Sequence, residues 1–410
     1  MKILQLCKKF PYPLKDGEAI AITYLAKALH TLGAELTLLS MNTSKHYFDR
    51  STLPEDFDHY QAIHLIDIDN RLNAKDAFLN LFTNESYHIA RFVSKAFEDK
   101  LIELLTCEHY DIVQLETLYL APYVETIRKH SKAKIVMRSH NVEHEIWQRI
   151  TSNTAWGPKK LYLQLLTSRL KHFELERLNK YDLLVAITAR DLDFFTRLGS
   201  RVPSHVTPIG LDLQDYNYQI KPPSKHPSFC FIGSLDWMPN TEGVEWILEK
   251  VWPQVLEQQP QAHFHIAGRN TPTTWLDKDW PNVTIHGEVP TATEFIQAHD
   301  VMLVPLFSGS GMRVKILEGM ALGKVVVSTS LGLEGIAAQH NKVVLIADTV
   351  EAFVQALVQC HQKPQNLPQM GAAAVDFLQE HYDNVRVAER LLLRYQQLLP
   401  ATQKVVLPSS

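Results

Sequence analysis

A chain of 410 residues is long for a single hydrophobic core and points to two domains of ordinary size. With 45% hydrophobic and 21% charged residues the composition is that of a globular protein, and a net charge of -4 argues against a general nucleic-acid binder. Cys7, Cys107, Cys230 and Cys360 form no C-x-x-C pair, which supports neither a zinc site nor a redox motif and fits a reducing compartment. The apolar run at the N-terminus is too short for a signal peptide, and no apolar run is long enough to cross a membrane. The expected location is cytoplasmic, with peripheral contact at the inner face of a membrane left open.

Short apolar strands alternate with amphipathic helices along the chain. The first strand is read at 3–7. A helix follows from about residue 18, with Ile22, Leu25, Ala26 and Leu29 at helical spacing and Gly33 ending it. Further strands are read at 35–40, 111–116, 134–138 and 183–188, where Thr188 and Asp191 have the spacing of a helix cap. Residues 213–227 are polar, hold Pro222, Pro223 and Pro227, and read as a linker. The alternation then restarts with strands at 229–233, 263–267, 283–286, 301–305 and 324–328. This pattern predicts two α/β domains, each a mostly parallel sheet covered by helices. Ligands of such sheets bind beyond the carboxyl ends of the strands. With two sheets facing across a cleft, the residues just after strands are the ones to weigh.

The segment 304–318 runs from a strand through a Gly-rich turn into a helix. Its turn, Gly309, Ser310, Gly311 and Met312, offers backbone N–H groups at a helix start, which suits a diphosphate. Arg313 and Lys315 add positive charge. Two positions apart on a helix they point different ways, so Arg313 is expected to be the main phosphate contact and Lys315 a solvated surface charge. Glu318, inside the helix, suits a ribose diol. His140 ends a first-domain strand. His144 lies four residues on, but Asn141 stands where a zinc-protease motif has Glu, so a metal site is not favoured. The D-x-D pair Asp67 and Asp69 lies in the first domain, away from the Gly-rich turn, and does not favour a metal site either. Gly17 opens the first helix without completing G-x-G-x-x-G, which argues against a dinucleotide dehydrogenase. Between 158 and 180, Lys159, Lys160, Arg169, Lys171, Arg177 and Lys180 interleave with leucines. That pattern reads as a packed surface helix ahead of a lipid-binding one.

Together, residues 138–147, 233–243, 266–268, 309–323 and 332–335 resemble the retaining glycosyltransferases of family 4, over nearly the whole chain. The resemblance is closest to the branch that builds bacterial exopolysaccharide and related surface glycans. It implies the GT-B fold: two Rossmann-like domains with parallel sheets facing across a cleft. The implied division is an acceptor-side domain at 1–212, a linker at 213–227 and a nucleotide-sugar-binding domain at 228–383. Residues 384–410 would form a helix crossing back to the first domain, and a tail. The implied reaction moves a sugar from a UDP- or GDP-linked donor to a glycan or lipid-linked acceptor, with no cofactor, no metal and no nucleic acid. By the resemblance His140 contacts the donor sugar, Gly17 holds the N-terminal glycine-loop position, and Glu318 is the second glutamate of E-x7-E. Ser310 stands where the first glutamate would be. After Gly233 the family's basic pair is missing, with Asn240 near the expected lysine, and the usual N-terminal double glycine is Asp16-Gly17. A nucleotide-sugar epimerase and a non-catalytic sugar-nucleotide-binding protein are the alternatives.

Overall fold

The computed structural model describes residues 1–400 apart from 15, 72, 74–79, 84, 220, 221, 223, 309 and 310. The chain divides into two compact units. Met1–Gly210 forms the first together with the stretch from Asn384, and Leu211–Asp383 forms the second. Residues 213–227, expected as a linker, lie within the second unit.

The first unit is built on a seven-stranded sheet of order β3-β2-β1-β4-β5-β6-β7. Its strands are β1 (Lys2–Cys7), β2 (Glu35–Thr43), β3 (Ala62–Ile68), β4 (Ile112–Glu116), β5 (Lys134–Ser139), β6 (Leu183–Ala186) and β7 (Ser204–Val206), all in parallel pairs. Helices cover both faces, so the central strands are buried on both sides and read as continuous apolar runs. On one face the helix Gly17–Thr31 presents Ile22, Leu25, Ala26 and Leu29, joined by Leu391 and Tyr395 of the helix Asn384–Leu398. On the other, Phe97, Leu101 and Leu170 pack beneath Leu4 and Leu115. Gly33, at a φ of +83° that favours glycine, turns the chain from the first helix into β2. Thr188 Oγ1 accepts from the Asp191 amide at 3.0 Å, as its spacing implies.

The second unit carries a six-stranded sheet of order β10-β9-β8-β11-β12-β13. These strands are β8 (Ser228–Ile232), β9 (His263–Ala267), β10 (Val283–Gly287), β11 (Val301–Val304), β12 (Val325–Ser328) and β13 (Leu345–Ile346). Phe229, Phe231, Phe264, Trp252 and Phe353 fill its core. Both units are therefore α/β, with parallel Rossmann-like sheets. The strands not read from the sequence, β3, β7 and β13, all lie at sheet edges. β7 and β13 are only three and two residues long, and β3 is half-exposed, so none shows a buried apolar run.

In each sheet the strand order reverses once, between β1 and β4 and between β8 and β11. Loops leaving the carboxyl ends on either side of such a reversal diverge and leave room for a ligand. Glu116 and the loop carrying His140 belong to that edge of the first unit. Gly233 and the turn before the helix Val314–Ala321 belong to that edge of the second.

Candidate functional site

In the second unit the residues after β8 crowd around Gly233. A Cβ there would fall 2.7 Å from Asn240 Nδ2 and 3.3 Å from Lys315 Nζ, so any other residue would have to push these groups aside. Lys315 Nζ donates to Asn240 Oδ1 at 2.9 Å and lies 4.5 Å over the ring of Phe231. Burial pushes its ammonium down to about 7, with the neighbouring charge of Arg313 acting in the same direction and Glu318 against it. Among the described residues no carboxylate forms an ion pair with it. A cation enclosed in this way favours an anion that can supply the missing charge.

Glu318 follows one helical turn later. Its Oε1 accepts from Tyr216 OH at 3.3 Å, and burial raises its pKa against the opposing effects of Tyr216 and Lys315. The helix can sit this close to the sheet because its next residue is Gly319, where a Cβ would fall 2.7 Å from Met302 Sδ on β11. Gly311 has a φ of +83°, a left-handed turn that brings Met312 and Arg313 into the protein. Two expectations are corrected here. Arg313 is not in the first helical turn but at the N-cap, buried, with its guanidinium folded back to donate to the Gly311 carbonyl. Lys315 is not a solvated surface charge but the enclosed cation beside Gly233. The reason is tertiary: residues on β8 and the following helix supply its pocket. Gly309 and Ser310 lie outside the described residues.

In the first unit a buried carboxylate organises the site. Glu116, at the end of β4, is fully buried. It accepts from Gln5 Nε2 at 2.6 Å, from Gln114, and from Arg138 Nη1 at 3.2 Å, and its Oε2 lies 2.6 Å from His140 Nε2. Burial pushes its carboxyl up, but Arg138 and the bond with His140 outweigh it and hold the pKa at about 2. An ionised Glu116 makes Nε2 of His140 the donor and leaves Nδ1 as the ring nitrogen able to meet a ligand. His140 is 9% exposed. His144 turns elsewhere: its Nδ1 lies 2.6 Å from Glu174 Oε2. The two histidines thus serve different carboxylates. Among the described residues no group of three or more His, Cys, Asp or Glu side chains is placed to hold a metal ion.

Beside His140, Glu143 opens the helix Glu143–Asn153. Its Oε2 accepts from Tyr119 OH at 3.0 Å, and burial lifts its pKa to about 7, with Glu174 adding and Lys8 opposing. Lys8 Nζ lies 4.4 Å over the Tyr119 ring and 3.1 Å from Glu18 Oε2. Gly17 is the exposed first residue of its helix, next to Glu18, with Asp16 capping the Ala19 amide at 3.0 Å. Sequence reasoning missed Glu116, Arg138 and Glu143 as members of this cluster. The first two sit at the carboxyl ends of strands, so the rule used to single out His140 would have found them. Nothing local marks Glu143, whose role depends on Tyr119 and Lys8 from other segments.

Residues 226–363 match the family model described as Glycosyl transferases group 1. Over 401 residues the chain is 24% identical to an "Uncharacterized 44.6 kDa protein in cps region" of Klebsiella pneumoniae, covering 94% of this chain and 97% of that one. Similar solved structures include a sucrose-phosphate synthase from Thermosynechococcus elongatus, with a TM-score of 0.68 at 15% identity over 97% of this chain and 99% of the other. Anabaena Alr3699/HepE in complex with UDP gives 0.65 at 14% identity, over 97% and 100%. At these identities the likeness is one of fold, the GT-B arrangement of two parallel-sheet Rossmann-like domains.

Proposed function

We propose that this protein transfers a sugar from a nucleoside diphosphate sugar, UDP- or GDP-linked, to a glycan or lipid-linked acceptor in the cytoplasm, with retention at the anomeric carbon. The observation that carries the reading is the enclosed Lys315 beside Gly233, without an ion-paired carboxylate among the described residues, and Glu318 one turn further along the same helix. That spacing offers a cation to a diphosphate and a carboxylate to a ribose diol. The match of the second unit to group 1 glycosyl transferases supports it, and a relative named for a cps region supports a surface polysaccharide as the product.

In this reading Lys315, Arg313 and the amides opening the helix Val314–Ala321 balance the charge of the departing nucleoside diphosphate, so no metal is needed. The bond from the anomeric carbon to the phosphate oxygen breaks. The acceptor hydroxyl attacks from the same face, forms the new glycosidic bond, and passes its proton to a β-phosphate oxygen. His140, held by Glu116, orients the sugar and stabilises charge through Nδ1.

The test is a panel of UDP-, GDP- and ADP-sugars scored first by thermal stabilisation and then by nucleotide release with and without acceptors. Stabilisation by one donor class and acceptor-dependent release are expected. Release of an altered sugar without acceptor would instead identify an epimerase, and tight binding without turnover across acceptors a binding protein. Turnover is expected to persist in EDTA; loss reversed by manganese or magnesium would count against the metal-free step.

Two binding predictions follow the roles of the helix. Glu318→Ala should weaken the free nucleoside diphosphate by roughly 1.5–3 kcal/mol, the range of hydrogen bonds to a charged group, and unchanged affinity in calorimetric titration would remove the ribose assignment. Lys315 gives a pH dependence with a definite sign. Its ammonium, with a pKa near 7 in the free protein, is ionised below that pH and neutral above it. A diphosphate binds the ionised form, so affinity should fall as pH rises above 7, by up to about tenfold per unit. The nucleoside alone should show no such slope, and Lys315→Met should remove it. Equal slopes in both proteins would place the phosphate elsewhere.

A further inference from the structure

The second unit gathers four histidines on one face of its sheet. His263 and His265 are two residues apart on β9 and so point to the same side, where Cys230 of β8 and Thr284 of β10 are the neighbours of His265 across the ladder. At the end of β10 the register slips, and His286 is the extra residue between Ile285 and Gly287. A bulge of this kind re-aims a side chain, and here His286 Nε2 comes to 3.0 Å from His265 Nδ1. The helix Ala292–Gln297 and the turn after it meet both rings. Phe295 lies 5.3 Å from the His286 ring, and His299 lies 4.3 Å from the His265 ring and 4.7 Å from Phe295. His299 Nδ1 is committed to the Phe295 carbonyl at 2.7 Å.

Charge on these rings has little to balance it. Among the described residues no carboxylate forms an ion pair with any of the four histidines. Asp300 accepts from the Ser228 amide and hydroxyl at 2.9 and 3.2 Å, Glu294 on the helix is exposed, and Lys324 donates to the His299 carbonyl and adds positive charge. On β8 the Cys230 thiol is pushed up to about 12 by burial and stays neutral. Burial and the neighbouring imidazoles of His299, His263 and His286 bring His265 down to about 4. Burial lowers His299 too, with His286 and Lys324 adding and the Phe295 carbonyl and Asp300 opposing. The facing nitrogens of His265 and His286 hold one hydrogen between them. One added proton preserves that bond, because an imidazolium N–H still meets a lone pair. A second removes the lone pair and sets two cations against each other.

We propose that this cluster is an acid-sensitive latch: while the pair His265 and His286 carries at most one added proton and His299 none, the rings hold the helix Ala292–Gln297 on the sheet, and further protonation releases it. The release bears on the strand ends around Gly233. The Gly287 carbonyl at the end of β10 accepts from the Gly268 amide at 2.7 Å, and Gly268 abuts the Gly233 carbonyl without room for a Cβ. The latch goes beyond the transfer reading and stands without it, since it needs neither donor nor acceptor.

The experiment is amide hydrogen exchange of the full chain, read by mass spectrometry from about pH 7.5 to 5 and corrected for intrinsic exchange. A histidine held below its ordinary 6.5 in the folded state makes opening easier as pH falls from 6.5 towards 4, because the open form binds more protons. Protection over 292–299 should fall by at least about tenfold between pH 7 and 5, and up to about a hundredfold per unit if two protons are taken up, while the strand 301–304 stays protected. His286→Gln keeps a hydrogen-bonding partner for His265 without taking a charge, so it should shrink that loss several-fold, and His265→Gln should do the same. His226→Gln, at an exposed histidine of the same unit outside the cluster, should leave the profile as in the parent. Protection over 292–299 that is indifferent to pH in the parent overturns the proposal. So does an acid loss equal in the parent and both cluster variants, or one shared by 301–304, which would be unfolding of the unit as a whole.

Discussion

Glu116→Leu should be the most destabilising of the substitutions considered, at about 3–5 kcal/mol, the range for removing one partner of a buried ion pair. The two charges are almost inaccessible, with side-chain exposures of 0% for Glu116 and 1% for Arg138. Without the carboxylate, Arg138 keeps the Ala21 carbonyl at 3.2 Å but loses its counter-charge, and Gln5, Gln114 and His140 lose a shared acceptor. A fall in melting temperature on the order of 10 °C should be visible by calorimetry. The double substitution Glu116→Leu with Arg138→Met should recover much of the loss, because it removes the stranded charge as well. A single variant as stable as the parent would show that the cluster contributes nothing net to folding. The pH dependence has a fixed direction. A carboxylate whose folded pKa is held at about 2 stabilises the fold at pH above its ordinary value, and that contribution is lost as pH falls towards 2. Acid unfolding curves of the parent and Glu116→Leu should therefore converge at low pH.

His140→Ala should have the largest effect on turnover, lowering kcat on the order of 10²-fold or more while leaving nucleoside diphosphate affinity nearly unchanged, as expected for one lost transition-state hydrogen bond. The ring is positioned from behind: Nε2 is committed to Glu116, so its free rotation is already removed before substrate arrives. Glu116→Gln offers a complementary test. It keeps the size of the side chain but removes the charge that fixes the tautomer, so kcat should fall while the donor KM stays close to its parental value. A folded His140→Ala protein with parental turnover would reduce the histidine to a structural role. Parallel measurements of melting temperature separate the two cases, since a misfolded variant would lose donor binding as well.

The organisation of the chain was legible without coordinates because it rests on short-range periodicity. Alternating apolar strands and helices specified two parallel-sheet units, and the rule that ligands gather at strand carboxyl ends singled out His140 and the helix bearing Glu318. Three of the four edge strands escaped, β7 and β13 because three and two residues leave no periodic trace and β3 because its seven residues are mostly half-exposed. What the sequence could not show is which charges meet. Lys315 looked like a solvated neighbour of Arg313, since the two are only two positions apart. In the folded unit Gly233 and Asn240, 82 and 75 residues away in the chain, enclose the lysine, while Arg313 folds back on its own loop. Glu116 likewise reads as one more strand residue until Gln5, Arg138 and His140 converge on it. Periodicity is a property of neighbours along the chain. The electrostatics of a buried group depend on partners delivered by other strands, and only the tertiary structure decides them.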